Sequence, residues 1–144
     1  MSFPSWGADF NTGVAAYKSG DFATALREFK PFAEQGDANA QNNLGVMYEN
    51  GEGVPRDYKE AVRLYRLAAE QGHTKAQHNL GTMYGNGTGV VQDFIYAHMW
   101  FNIAASNDGN DTNRRKTEEM MTTSDISEAQ RLARECVKKN YKGC

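Results

Sequence analysis

The chain repeats itself with a period of 36 residues, and this internal repeat limits what the chain can fold into more than any other feature. Aligned without gaps, residues 38–73 and residues 74–109 carry the same residue at 15 of the 36 positions. A period of this length is typical of arrays in which each repeat is one small unit that stacks on its neighbours. The identities include Leu44/Leu80, Gly45/Gly81, Met47/Met83, Tyr48/Tyr84, Gly51/Gly87 and Asp57/Asp93.

Each repeat predicts two helices joined by a glycine-rich loop. In the first helix, Ala40, Leu44 and Met47 recur at helical spacing, and Gly51 is expected to end the helix. Asp57 stands where an N-cap carboxylate would begin the second helix. The inward positions expected on the second helix are Ala61, Leu64, Tyr65, Ala68 and Ala69. Ala40, Gly45, Ala61 and Ala68 are small, which predicts that the two helices approach closely at these positions.

Related but less regular segments flank the two repeats. Upstream, Asp21, Ala25 and Phe29 keep phase with the repeat, although the glycine-rich loop is missing and Pro31 should kink its helix. Downstream, residues 111–121 and 124–139 predict a degenerate final hairpin. Its last helix is expected to turn an apolar face inward, formed by Ile126, Ala129, Leu132, Ala133, Cys136 and Val137.

The repeats and their flanks together predict an all-α chain. We expect eight helices in four hairpins and no sheet, because every 36-residue period carries two helical patterns. We also expect a single repeat domain over residues 1–144. Its parts are an N-terminal hairpin at 1–37, two full repeats at 38–73 and 74–109, and a capping hairpin with a tail at 110–144.

The repeated motif Ala-Gln-x-x-Leu-Gly-x-Met-Tyr-x-Asn-Gly-x-Gly-Val-x-x-Asp resembles the Sel1-like repeat. With the alanine, the aromatic residue and the Ala-Ala pair that follow, it occurs at 40–69 and 76–105, and the segment 13–37 is similar to the shorter tetratricopeptide unit. The resemblance implies a right-handed αα-solenoid that binds other proteins on its concave face. It also implies a bacterial setting, in which many members are exported and some end with a cysteine pair like Cys136 and Cys144.

Placed on the tetratricopeptide pattern, the first helix of each hairpin supplies the residues expected to face this concave groove. The set is polar, rich in asparagine and mixed in charge, which favours hydrogen bonding to an extended peptide or loop of a partner protein. Each member could equally be an ordinary solvated side chain, and Glu49 and Lys75 are expected to be solvated. The residues are Phe10, Val14, Tyr17, Asn39, Asn42, Val46, Glu49, Lys75, His78, Thr82 and Asn86.

Three aromatic residues crowd the start of the chain, ahead of the first hairpin: Phe3, Trp6 and Phe10. The first helix of a solenoid has no preceding repeat to cover it, so these rings must be covered by something. They could fold back over Phe22 and Phe29 as a cap, or they could mediate self-association or contact with a partner.

Charge and hydropathy exclude several classes of protein. The formal net charge of −2 and the pI near 5.9 argue against binding to nucleic acid phosphates. The mean hydropathy is −0.71, and no apolar run approaches the roughly 18 residues of a membrane helix, so no membrane insertion is expected. No signal peptide is visible at the start of the sequence, so an exported protein would have lost its signal or carry it outside this chain.

Several residues resemble phosphate-binding, metal-binding or catalytic motifs, but their context favours a structural role. Residues 85–89 form a glycine-rich run, but the run follows a helix and recurs at the same repeat phase, which indicates a turn and not a phosphate site. His73 and His78 lack metal-ligand spacing, and His78 is expected to be a surface group. The adjacent Glu118 and Glu119 are expected on a solvated helix face. We therefore expect no cofactor, no metal and no enzymatic activity.

Three hypotheses about function remain open at this point. The leading one is a non-catalytic protein–protein interaction module, an adaptor or scaffold that is periplasmic or secreted, with a cytoplasmic location as the alternative. A narrower form is a periplasmic inhibitor or immunity-type partner of an effector. The enzymatic alternative is the penicillin-binding or β-lactamase-like activity linked to a cysteine-rich branch of Sel1-like proteins, although that branch carries cysteines in every repeat.

The two cysteines lie together at the end of the chain. Cys136 falls on the last predicted helix and Cys144 follows a polar tail, in which Gly143 would let the chain turn back. They could be two ordinary thiols, but the arrangement favours a disulfide between Cys136 and Cys144. Such a bond would accompany export into an oxidising compartment.

Overall fold

A computed structural model describes residues 7–144, which fold into helices, turns and loops without any β-strand in this range. The chain divides into two compact units, residues 1–68 and 69–144. The aromatic residues Phe3 and Trp6 lie outside the described residues. No helix of the described part is both long and apolar enough to cross a membrane.

Eight helices follow one another along residues 7–144, as the 36-residue period predicts. The first unit holds α1 (Phe10–Ser19), α2 (Phe22–Glu34), α3 (Ala38–Asn50) and α4 (Tyr58–Ala69), apart from the last residue of α4. The second unit holds α5 (Thr74–Asn86), α6 (Phe94–Asp108), α7 (Thr112–Glu118) and α8 (Thr123–Lys138).

Equivalent aspartates begin the second helix of three hairpins. The carboxylates of Asp21, Asp57 and Asp93 accept hydrogen bonds from the backbone N–H groups of Thr24, Glu60 and Tyr96, at 3.2, 3.1 and 3.0 Å. These N–H groups have no partner inside the helix, so each carboxylate satisfies a donor that would otherwise be lost. The N-cap predicted at Asp57 is confirmed.

A glycine in the first helix of a hairpin lets an aromatic ring of the second helix pack directly on the backbone. A Cβ atom added at Gly45 would lie 2.7 Å from the Tyr65 ring, and one added at Gly81 would lie 2.7 Å from the Phe101 ring. Gly13 meets Phe29 in the same way, at 2.8 Å. The close approach of paired helices, predicted from their small residues, is therefore part of each of these three hairpins.

A buried glutamine joins each full repeat to the end of the helix before it. Gln41 Nε2 donates to the carbonyl oxygen of Ala33 at 3.3 Å, and Gln77 Nε2 donates to the carbonyl oxygen of Ala69 at 3.2 Å. Both side chains are buried. Each carbonyl also accepts a backbone hydrogen bond from the turn after the helix, from Gly36 at 3.1 Å and from Gly72 at 3.0 Å. The repeated glutamine therefore adds a second donor to a carbonyl at the helix end.

Apolar side chains fill the interior of each unit. In the first unit, Phe29, Leu44 and Met47 are buried in one cluster. In the second unit, Leu80, Met83 and Trp100 are each at most 1% exposed. Burial of these large side chains supplies most of the free energy that holds the hairpins together, at roughly 25 cal/mol per Å² of apolar surface.

The C-terminal hairpin differs in two details from what the sequence predicts. Helix α7 covers seven residues, shorter than the predicted segment 111–121. Val137 was expected on the inward face of α8, but it is 49% exposed, whereas Ala129, Ala133 and Cys136 are buried. Thr122 caps α8 by accepting a hydrogen bond from the backbone N–H of Asp125 at 3.1 Å.

A disulfide between Cys136 and Cys144 folds the end of the chain back along α8, with the two Cα atoms 5.6 Å apart. Past the helix end, Asn140, Tyr141 and Gly143 take positive φ values of 54°, 66° and 69°, which turn the backbone. The Tyr141 ring packs against the turn at Gly72, since a Cβ atom there would lie 3.3 Å from it.

Candidate functional site

The predicted binding residues of α1 are partly occupied by packing inside the first unit. The Phe10 ring lies 5.4 Å from the Phe29 ring and 6.0 Å from the Phe32 ring, measured between centroids. Val14 packs against the same apolar cluster. Phe10 thus covers the α1–α2 hairpin and leaves only part of its ring available to a partner.

Tyr17 connects α1 to the glycine-rich loop of the first repeat. Its ring packs against Phe22 at 5.4 Å, and its hydroxyl donates to Glu52 Oε1 at 2.9 Å. Asn50 Nδ2 donates to the same oxygen at 3.1 Å. Partial burial and the Glu52 carboxylate both raise the pKa of the Tyr17 hydroxyl, so it remains a hydrogen-bond donor at neutral pH.

The predicted residues of α3 are less exposed than expected. Asn39 is exposed, but Asn42 is buried and Val46 is half-buried. Glu49 was expected to be solvated, yet it is half-buried and accepts a hydrogen bond of 2.6 Å from the Tyr65 hydroxyl. Burial, together with this carboxylate, raises the pKa of Tyr65. The physical reason is that Tyr65 packs on Gly45, and Glu49 lies one turn further along the same face of α3, within reach of the Tyr65 hydroxyl.

The predicted residues of α5 fall into two groups. Lys75 is exposed, whereas the His78 side chain is only 17% exposed, so the expectation of a surface histidine is wrong. His78 Nε2 lies 2.8 Å from Asp108 Oδ2, and its ring packs at 6.3 Å from Phe101. Hydrogen bonds from the Asn110 backbone and from His78 lower the pKa of Asp108.

Thr82 and Asn86, in the second half of α5, line a groove that the sequence analysis did not identify. We name it the α5–α7 groove. It has a volume of about 220 Å³. Phe94 and Phe101 supply aromatic surface and Lys116 supplies a positive charge, while none of the lining residues is acidic. The lining consists of Thr82, Gly85, Asn86, Phe94, Phe101, Asn113, Lys116, Thr117 and Met120.

The α5–α7 groove lies where the second repeat departs from the first. Gly85 and Phe101, which both line it, occupy the repeat positions that Glu49 and Tyr65 hold in the first repeat. In the first repeat these positions are filled by a carboxylate and a hydroxyl that bond to each other. In the second repeat both polar groups are missing, so space is left beside the Phe101 ring.

Helix α7 contributes residues that the sequence analysis assigned only to a capping hairpin. Asn113 and Lys116 line the groove from α7, and Met120, which is 65% exposed, lines it from the turn that follows. The spacing of three residues between Asn113 and Lys116 places them on one helical face, and this was the signal in the sequence that could have identified them.

A partly buried polar network holds α7 against α6. Glu118 was expected on a solvated face, but its Oε1 lies 2.8 Å from Nε2 of His98, which is fully buried. Arg114 donates to the same oxygen at 2.7 Å and to Asp111 at 3.0 Å. The hydrogen bond from His98, followed by the charge of Arg114, lowers the pKa of Glu118. The expectation failed because α7 packs on a histidine buried in α6.

The residues of the described range offer little for metal binding or thiol chemistry. No group of three or more His, Cys, Asp or Glu side chains there is placed to hold a metal ion. Both cysteines are joined in the disulfide, so neither presents a free thiol. The glycine-rich run at 85–89 forms the end of α5 and the turn after it, and Gly87 ends the helix with a φ of 65°.

Comparison with known families and structures gives a consistent result. A family model described as the Sel1 repeat matches residues 38–73 and 74–109, which together make up half of the chain. The two matched segments coincide with the two repeats found by internal alignment.

Two solved structures share this fold. A protective antigen of uropathogenic Escherichia coli strains, displaying an SLR fold, is 32% identical and superposes with a TM-score of 0.85 over 91% of this chain. A Sel1 repeat protein from Oxalobacter formigenes is 29% identical, with a TM-score of 0.71 over 88% of this chain. The matches cover 30% and 55% of those two proteins, so this chain corresponds to part of each.

Among curated proteins, the chain is similar to DAP3-binding cell death enhancer 1 of Rattus norvegicus and of Mus musculus. The identity is 40% over 45 residues, which is 31% of this chain and 9% of each relative. A match this short is about one repeat in length.

Proposed function

Because this chain belongs to the Sel1 repeat family, whose members are generally protein–protein interaction modules, we propose that it is a non-catalytic adaptor that binds a partner protein through the α5–α7 groove. The observation that carries the proposal is the loss, in the second repeat only, of the hydrogen-bonded pair that fills this space in the first. The lining of the groove includes Thr82 and Asn86, two residues predicted to bind a partner protein, together with Asn113 and Lys116 of α7.

The groove suits an extended segment of the partner. Asn86, Asn113 and Thr82 can exchange hydrogen bonds with a peptide backbone, which offers a donor and an acceptor at each residue. Phe94, Phe101 and Met120 can cover one apolar side chain of that segment. Extended peptides are commonly recognised in this way, by backbone hydrogen bonds combined with a pocket for a side chain.

The experiment fills the groove with the two side chains that occupy the equivalent positions of the first repeat. The double variant Gly85→Glu/Phe101→Tyr installs the pair found in the first repeat. A Cβ atom at Gly85 would meet only Ala97 Cβ at 3.7 Å, an ordinary contact, so the fold should tolerate the change. A photoreactive amino acid at the exposed Asn86 position then reports occupancy by cross-linking to the partner in native cell extracts.

We expect the Asn86 cross-link to a defined protein to disappear in the groove-closing variant. Lys59→Gln, an exposed change on α4 that makes the same difference of one charge unit, should leave the cross-link intact. Persistence of the cross-link when the groove is closed would place the binding site elsewhere on the chain.

We further infer that the protein works in an oxidising compartment, the periplasm or the exterior of a bacterial cell. The disulfide supports this inference, since such bonds persist mainly outside the reducing cytoplasm. Alkylation of free thiols in freshly fractionated cells tests it by intact mass. A Cys136–Cys144 pair that is already oxidised in the periplasmic fraction is the expected result, and a fully alkylated cytoplasmic pool would contradict it.

The proposal assigns no reaction to the chain. The enzymatic alternative is tested by incubating the purified protein with nitrocefin, a chromogenic β-lactam. We expect nitrocefin hydrolysis at the rate of the buffer control. Hydrolytic activity that co-purifies with the protein would instead support the enzymatic hypothesis.

A further inference from the structure

A second groove lies between α6 and α8, away from the residues of the α5–α7 groove. It has a volume of about 480 Å³. Its apolar floor includes Ile103 and Ala133, which are 2% and 5% exposed. We name it the α6–α8 groove, and its lining is Asn102, Ile103, Ser106, Ala133, Arg134, Val137 and Lys138.

The rim of this groove is positively charged. Arg134 and Lys138 are four residues apart on α8, which places them on one side of the helix. Neither has a carboxylate oxygen within 4.0 Å in the part of the chain that the structure describes. Both cations are therefore available to an anionic partner.

The positive charge is concentrated at this end of the sequence. Residues 130–144 contain five lysines and arginines and one glutamate, a net charge of +4, although the whole chain has a net charge of −2. The disulfide holds the last residues of this segment against α8. A local excess of one charge sign in an otherwise acidic protein attracts and orients a partner of opposite charge.

Val137 adds an exposed apolar side chain to the same groove. It is 49% exposed although its position in the helical pattern is apolar. Val137 borders the groove together with Ile103 and Ala133, so an inserted side chain would meet apolar surface on several sides. Asn102 provides a polar group within the same lining.

We propose that the α6–α8 groove is a second binding site, which takes an acidic segment of a partner protein. An apolar side chain of that segment packs on Ile103, Ala133 and Val137, and flanking carboxylates pair with Arg134 and Lys138. A membrane surface fits less well, because a flat headgroup layer would contact the charged rim but not the recessed apolar floor, where Ile103 and Ala133 are 2% and 5% exposed. RNA fits less well because the lining contains no aromatic ring on which a base could stack.

A short synthetic peptide tests the proposal on the whole chain. The probe is the acetylated and amidated pentapeptide Glu-Asp-Leu-Asp-Glu, titrated into ¹⁵N-labelled protein. We expect saturable shifts of the amide resonances of Ile103, Ala133 and Val137. Replacing the leucine of the peptide with glycine should weaken binding about tenfold, because the apolar contact is lost.

Matched variants separate this groove from general attraction between charges. Arg134→Gln/Lys138→Gln should weaken peptide binding about tenfold, whereas Lys139→Gln/Lys142→Gln removes the same charge outside the groove and should change it less than twofold. Far-ultraviolet circular dichroism checks that both variants fold.

Several results would overturn the proposal. These are equal losses in the two double variants, binding that does not depend on the leucine, or absence of saturable shifts. Sedimentation with vesicles of phosphatidylglycerol and binding of a labelled RNA oligonucleotide are measured in parallel. Tighter binding of either by the wild type, with loss specific to Arg134→Gln/Lys138→Gln, would reassign the site to that class of partner.

Discussion

The two full repeats use the same backbone and differ in what they place between their helices. In the first, Tyr65 crosses Gly45 and its hydroxyl bonds to Glu49. In the second, Phe101 crosses Gly81 at the same distance, but Gly85 stands in place of the glutamate, and the space is open. The difference shows that a repeat can keep its apolar packing while it loses one polar pair. The volume that the two polar side chains fill in the first repeat is then open as a groove in the second.

Truncation of the core leucines tests whether the two repeats are equally packed. Leu44 and Leu80 hold the same repeat position and are 4% and 0% exposed. Leu44→Ala and Leu80→Ala should each lower the free energy of unfolding by about 2–5 kcal/mol, because a cavity replaces buried apolar atoms. Urea unfolding followed by circular dichroism measures both. Loss from only one variant would show that the repeats do not share an equivalent core.

The disulfide belongs to the second unit alone. Reduction should lower the free energy of unfolding by about 2–3 kcal/mol, as expected when a short loop of the unfolded chain is released, and should leave the helix content unchanged. It should also increase hydrogen exchange of the Tyr141 amide, which donates to the carbonyl of Cys136 at 2.9 Å. Exchange measured by mass spectrometry in oxidised and reduced protein checks this. Increased exchange of α1 and α2 on reduction would contradict a local effect.

The glycines beneath the aromatic rings offer a comparison of packing alone. Gly45→Ala and Gly81→Ala place a Cβ atom 2.7 Å from Tyr65 and from Phe101, so the rings must shift. We expect each variant to lose about 1–3 kcal/mol of stability. Because the Tyr65 hydroxyl is tethered to Glu49, the loss should be larger in the first repeat. Thermal unfolding under identical conditions ranks the two, and the reverse order would mean that the hydrogen bond does not restrain the ring.

The hydrogen-bonded Tyr65–Glu49 pair is what distinguishes the first repeat from the second. Its contribution to stability can be measured by removing it from the first repeat and by introducing it into the second. Tyr65→Phe should lower stability by about 1 kcal/mol, since one hydrogen bond is lost and Glu49 is only half-buried. Phe101→Tyr alone adds a hydroxyl without its acceptor. Addition of Gly85→Glu should restore a favourable coupling, also of about 1 kcal/mol, in a double-mutant cycle. A coupling of zero would show that the backbone of the second repeat does not support the pair.

Acid should affect the second unit through Glu118. The hydrogen bond from His98 and the charge of Arg114 lower its pKa in the folded state, so its ionised form stabilises the fold above the pKa of the unfolded chain. This stabilisation is lost as the pH falls through the lowered pKa of the folded state. Glu118→Gln should therefore flatten the dependence of stability on pH in the acidic range. An unchanged slope relative to the wild type would exclude Glu118 as a contributor.

Much of the fold could be predicted because it depends on local patterns that repeat. The caps at Asp57 and Asp93, the helix ends at Gly51 and Gly87, and the close approach of paired helices at small residues all follow from residue type and spacing. The fold class and the disulfide are confirmed as well. Each of these features requires only neighbours within one hairpin or one short loop.

The site was harder to predict because it depends on which side chains occupy the same space. Alignment with a related repeat assigned Glu49 and His78 to an open face, but Tyr65 and Asp108 bind them. The same alignment passed over Lys116 and Met120, since α7 does not follow the repeat. The concave face predicted across all the first helices stays a prediction, and the α5–α7 groove is our proposal for the part that binds.

The sequence by itself determined the repeat, its two helices and the residues that begin and end them, because these depend on spacing along one chain. Only the tertiary structure decided that Glu118 meets a buried histidine, that Val137 stays exposed, and that the exchange of Glu49 for Gly85 leaves an open groove. The reason is physical. Burial and free volume depend on side chains that are distant in sequence, and no local pattern records which of them will meet.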